Sequence, residues 1–324
     1  MGKIVQCELC PNGCVLDVNQ RSRCRTRINK EGKLYSLVYG KPCAVHVDPI
    51  EKKPFFHFLP GTTAFSIATA GCVLSCKFCQ NWQISQAKPE DTDTYDLPPE
   101  KVVKYALQYK SKSIAYTYTE PTVFYEYMYD TAVSAKNNNI KNTMHSCGYI
   151  NEKPLKKLSK YLDAANIDLK GFSEEFYENT CKGSLKPVLN TLSVLKQENV
   201  WLEITNLIIP TLNDDIKMIK DMCVWIRKNL GVDVPLHFSR FFPNYKLLEL
   251  PPTPLETLMK ARRVALEEGI RYVYIGNIRT EAENTYCYSC KKIIIERAGY
   301  FVKQNNIING SCKFCGTKIS GYWS

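Results

Sequence analysis

From residue 65 onward, short apolar runs alternate with longer stretches in which apolar side chains recur every three or four positions. The short runs read as strands and the longer stretches as helices. Strands are expected at 65–70, 113–118, 141–145, 164–169, 200–209, 234–238 and 272–275. Helices are expected at 100–109, 122–137, 152–161, 185–198, 214–229 and 254–268. This alternation builds βαβ units on a parallel sheet. With about six or seven repeats, the chain is too short for a closed eight-fold barrel. Residues 1–60 and 281–324 do not share the pattern and read as separate segments.

Composition narrows the class. The 324 residues are ample for a substantial core, and no apolar run is long enough to span a bilayer. The first residues lack the apolar core of a leader peptide, so a cytoplasmic location is expected. Fifteen cysteines in a reducing compartment argue for metal or cluster ligation rather than disulfides. The net charge of +11 favours anionic partners without specifying one, and lysine-rich stretches such as 153–160 read as solvated helix faces.

The chemistry is concentrated at Cys72, Cys76 and Cys79, a C-x3-C-x2-C spacing directly after the first expected strand. Thiolates select zinc, copper(I) or iron–sulfur clusters. Three of them on a 4Fe–4S cubane leave one iron open to a chelating small molecule with an amine and a carboxylate. A zinc site completed by a histidine is the alternative. The spacing, Phe78 before the third cysteine and the upstream strand resemble the radical S-adenosylmethionine (SAM) superfamily. The words at 35–40, 46–61 and 79–85 resemble one branch, the AmmeMemoRadiSam-system enzymes, relatives of the pyruvate formate-lyase activating enzyme.

That resemblance implies a partial (β/α)6 TIM-like barrel with its site at the C-terminal strand ends. It implies a 4Fe–4S cluster on Cys72, Cys76 and Cys79, which would cleave SAM reductively to a 5'-deoxyadenosyl radical. By the same resemblance, Glu120 would receive the SAM amine, and Asp168 and Lys170 would handle its methionine and ribose region. Phe78 would meet the adenine, and Asn206 and His237 would complete the set. An external electron donor such as flavodoxin or ferredoxin is implied. Cys147 stands where relatives carry asparagine, and Cys181 and Cys223 receive no role.

Two further cysteine groups flank the barrel. Cys287-x2-Cys290 and Cys312-x2-Cys315 form paired knuckles for a tetrahedral four-thiolate site, a zinc ribbon or a rubredoxin-like mononuclear iron. If iron, it is expected to pass electrons to the central cluster. Cys7, Cys10, Cys14 and Cys24 could surround zinc or an accessory cluster, and the Cys10-Pro11 step is similar to that of ferredoxin-type sequences. Three readings stand: a SAM-cleaving enzyme acting on a substrate the sequence does not reveal, a glycyl-radical-enzyme activase acting on a partner protein, and a zinc adaptor binding nucleic acid or protein. No cysteines lie between Cys79 and Cys147, where some activases insert extra cluster ligands.

Overall fold

The computed structural model describes residues 3–324. Eight strands lie side by side in chain order: β1 (Ala44–Pro49), β2 (Thr63–Ala68), β3 (Ser113–Tyr116), β4 (Lys141–Ser146), β5 (Ala164–Asp168), β6 (Trp201–Ile208), β7 (Leu236–Arg240) and β8 (Val273–Gly276). From β2 to β8 every pairing is parallel, whereas β1 runs antiparallel to β2. The crossovers carry α1 (Pro99–Gln108), α2 (Tyr125–Asn137), α3 (Glu152–Ser159), α4 (Leu185–Gln197), α5 (Ile216–Leu230) and α6 (Leu255–Glu267). Every expected element is present within a few residues. The sheet has one more parallel strand than a six-fold count, because α6 packs Leu258, Ala261 and Ala265 inward and supports β8. β1 was not expected, since its polar His46 and Asp48 interrupt the apolar run.

The pleat sorts the side chains by parity. Phe65, Ile114, Met144, Ile167, Ile204, Phe238 and Ile275 lie on the helix-covered face, where Phe65 meets Tyr105 and Tyr109 of α1 and its C-terminal turn. Ser66, Ala115, Thr143, Asn166, Glu203, Thr205, His237 and Tyr274 have the opposite parity and line the interior. The link from β1 to β2 folds under this interior at the N-terminal strand ends: Glu203 accepts from the Phe56 and His57 N–H groups, and Asn166 donates to the Pro54 carbonyl. Among the described residues β1 and β8 do not pair with each other, so the sheet stays open. No described helix is long and apolar enough to cross a membrane.

The N-terminal segment forms two small hairpins, Val5–Gln6 with Val15–Leu16 and Arg27–Lys30 with Lys33–Ser36. The C-terminal segment forms a three-stranded sheet and a short hairpin. Its Cys287, Cys312, Ile294 and Ile319 pack on Phe56, Tyr272 and Tyr274, at the floor of the sheet.

Candidate functional site

The loop after β2 carries Cys72, Cys76 and Cys79 at the C-terminal end of the first parallel strand. Gly71 opens it at φ +95°, a conformation that side chains disfavour, and its N–H donates to the Ile84 carbonyl. The loop is tied down on all sides. Ser75 and Lys77 N–H groups donate to the Cys181 and Thr180 carbonyls, Asn12 donates to the Val73 carbonyl, and Gln86 to that of Leu74. The Lys246 N–H donates to the Lys77 carbonyl from the segment after β7. Cys76 is buried, while Cys72 and Cys79 are half-buried.

Facing the loop, the ends of β4 and β5 present charge. Asp168 closes β5, with Oδ1 2.9 Å from His145 Nε2 and Oδ2 2.9 Å from Lys170 Nζ. Burial alone would raise the Asp168 carboxyl, but Lys170 and His145 hold it well below the usual carboxylate range. Burial would likewise strip Lys170 of its proton. The Asp168 carboxylate reverses this and keeps it charged. Its Nζ lies 5.7 Å from the centre of the Phe78 ring, which stacks on Phe176.

Glu120, after β3, is almost fully buried, and its carboxylate is already engaged. Oε1 accepts from the Thr122 N–H, the Thr122 hydroxyl and the Ser146 hydroxyl, and Oε2 accepts from the Cys147 N–H at 2.8 Å. Its geometry is that of a clamp joining the ends of β3 and β4. Cys147 sits beside Cys72 and Glu120, and burial pushes its thiol well up.

Two expected residues stand elsewhere. His237 is the second residue of β7, so it lies near the floor and bonds through Nε2 to Glu203 at 2.7 Å, with Phe56 and Tyr274 against its ring. The expectation that it reaches SAM is corrected by depth: the rest of the strand separates it from the cysteine loop. Asn206 has the parity of Ile204 and Ile208 and faces away from the interior. Its Nδ2 donates to the Leu169 carbonyl beneath the Lys170 turn, and its buried Oδ1 has no donor among the described residues. His145 and Cys181 belong to the site and had no sequence signal beyond the strand and loop that carry them.

The thiol sets differ in spacing. Cys287 and Cys315 Sγ atoms lie 3.6 Å apart, those of Cys290 and Cys312 3.8 Å apart, and all four fall within 4.8 Å of one another. Zinc–sulfur bonds of about 2.3 Å give a tetrahedron with edges of about 3.8 Å, so these residues fit one ion. Thr317 contributes hydrogen bonds that pull the Cys315 thiol down to about 6, leaving a thiolate ready to ligate. Among the described residues this is the only such contracted set. Cys72, Cys76 and Cys79 do not form such a set among the described residues. The C-terminal site packs on residues at the start of β8, whereas Cys72 follows the end of β2, so the two sit toward opposite ends of the sheet.

The chain belongs to the Radical SAM superfamily, whose profile matches residues 66–223. The protein is a radical SAM enzyme, a class in which a 4Fe–4S cluster binds SAM. It is 48% identical over 318 residues to uncharacterized protein MJ0808 of Methanocaldococcus jannaschii, covering 97% of this chain and 95% of that protein. In fold it is similar to a radical SAM methyltransferase from Sphaerobacter thermophilus, with TM-score 0.53, 11% identity, and coverage of 86% and 79% of the two chains. It is also similar to Streptococcus suis SuiB bound to precursor peptide SuiA, with TM-score 0.52, 13% identity, and coverage of 71% and 52%.

Proposed function

We propose that Cys72, Cys76 and Cys79 hold the 4Fe–4S cluster and that SAM lies between this loop and the Asp168–Lys170 turn. When bound, the cluster supplies one electron to the sulfonium, giving methionine and a 5'-deoxyadenosyl radical that takes a hydrogen atom from the substrate. The observation that carries this reading is that three thiols of one loop and a half-buried, charge-balanced lysine meet at one edge of the sheet. Lys170 pairs with the SAM carboxylate, and Asp168 fixes the lysine and takes a polar group of the methionine or ribose. Glu120 holds the ends of β3 and β4 together, and its Oε2, which among the described residues accepts only from the Cys147 N–H, keeps a lone pair for the SAM amine. Phe78 contributes an apolar wall for the adenine. The sequence words at 35–61 and 79–85 support the AmmeMemoRadiSam branch.

The test is an anaerobic reconstitution with iron and sulfide, then SAM and a strong reductant, with 5'-deoxyadenosine quantified. We expect product from the wild-type chain and none from Cys76→Ala, whose circular dichroism stays native. Product from the variant overturns the assignment.

A second reading, action on a protein or peptide, is favoured by the open sheet. The β1 edge leaves His46 exposed on the interior side, and Phe242 and Leu248 are exposed on the segment that contacts Gln80 and Lys77. The peptide-bound SuiB structure shares this fold. A glycyl radical appearing in a co-purifying partner after incubation with SAM and reductant would establish the activase form of this reading.

A further inference from the structure

Outside the central site, four more cysteines meet. Cys7, Cys10, Cys14 and Cys24 line one small cavity together with Asn12, Arg27 and Val73. We propose that these four thiols ligate a second iron–sulfur cluster of the 4Fe–4S class, seated against the back of the Cys72–Cys79 loop. The proposal stands independently of how the central site binds SAM.

The local fold is built to present thiolates inward. The Cys7 N–H donates to the Cys14 carbonyl and closes the first hairpin, and the Gly13 N–H donates to the Cys10 carbonyl. Backbone N–H groups of Leu9 and Asn12 point at the Cys7 and Cys10 sulfurs. Cys24 Sγ lies 3.0 Å from the Ser22 hydroxyl and 3.2 Å from that of Thr26. The backbone donors at Cys7 and Cys10 stabilise sulfur that carries negative charge. Cys7, Cys10 and Cys24 are each at most 7% exposed.

Arg27 supplies the second, independent observation. It is 4% exposed and gives both terminal nitrogens to Glu126, at 2.9 and 2.7 Å, yet its Nε is buried with no acceptor. Burying an unmatched guanidinium N–H is costly unless an anion faces it. Arg27 lines the same cavity as the thiols, and Cys7 and Cys24 are near enough to act on its charge. A tetrathiolate cluster with net negative charge supplies the missing partner.

Spacing selects a cluster over a single ion. The C-terminal thiols contract to a zinc-sized tetrahedron, whereas no three of the N-terminal thiols fall within 4.8 Å of one another among the described residues, as is also true of the central three. A cubane accounts for four thiols that ring one cavity without closing to the size of one ion. Its position is fixed by Val73, which lines the cavity and belongs to the central loop. It is fixed also by Gly71, where a Cβ would come 2.6 Å from the Cys24 carbonyl.

The test uses the full chain reconstituted anaerobically, with iron, acid-labile sulfide and zinc counted per chain. We expect about eight irons and eight sulfides in the wild type and about four of each in both Cys76→Ala and the Cys10→Ser/Cys24→Ser double variant. The cluster left in the double variant should change its electron paramagnetic resonance signal on adding SAM, and the one left in Cys76→Ala should not. Arg27→Gln should retain both clusters and lower the reduction potential of the SAM-insensitive one. If the double variant fails to fold, the wild-type count alone decides. A wild type with about four irons, or with a second zinc that the double variant loses, overturns the proposal.

Discussion

Lys170 owes its charge to Asp168, and the pair stands or falls together. Asp168→Asn leaves a buried ammonium facing thiols and His145 without its carboxylate, so SAM binding to the cluster-loaded chain should weaken about 10–100-fold. Equilibrium dialysis with labelled SAM measures this, and an unchanged affinity would remove Lys170 from the SAM carboxylate. At the floor, His57 is fully buried, and burial pushes its imidazole down to about 4, with Nε2 against the Tyr274 hydroxyl and Nδ1 against the Ser320 carbonyl. Its folded pKa lies below the unfolded one, so its contribution is complete above about 6.5 and is lost as pH falls toward 4. The loss is about 3 kcal/mol in all. Urea unfolding across that range should show a steeper acid decline in the wild type than in His57→Gln, a comparison that cancels acid loss of the C-terminal metal. The strand that ends in Asp168 was legible in the sequence because its run is apolar, whereas the roles of Asp168 and Lys170 rest on the family resemblance. His237 and Glu203 were not, because parity along a strand gives the face and says nothing of depth. Only the fold shows that His237 stands at the start of β7 against Glu203.

The helices and parallel strands were legible because each buries one regular apolar face. β1 was hidden because its inner residues are polar: His46 is exposed at the sheet edge, and Asp48 pairs inside with Lys53 and the Tyr118 hydroxyl. The N-terminal hairpins act as a strap across the cysteine loop, and their fit against it is tight. At Gly71 a Cβ would come 2.4 Å from Thr26 Cγ2, at a φ of +95°. Gly71→Ala should therefore prise strap and loop apart at a cost of 2 kcal/mol or more, roughly. The readouts are faster proteolysis within residues 3–43 and a central cluster that loads incompletely. An alanine variant with wild-type iron content and protease resistance would show that the contact yields without consequence.

Across the whole molecule, chemistry and support occupy opposite ends of the sheet. The C-terminal module sends Arg297 into the floor, where its guanidinium donates to the Phe56 carbonyl and the Thr285 hydroxyl and covers the Phe56 ring at 4.1 Å. Cys312→Ala, or removal of the metal by a chelator, should lower the melting temperature by about 5 °C or more and leave the central iron in place. Loss of the central iron would mean that the floor and the SAM site are mechanically coupled. The strap also bears on biosynthesis. A ribosome releases the N-terminus first, yet residues 9–27 find their fixed partners in Val73, Glu126, Asn151 and Lys182. The strap therefore cannot complete its docking until more than half of the chain has emerged, and the back of the Cys72–Cys79 loop stays uncovered during that interval.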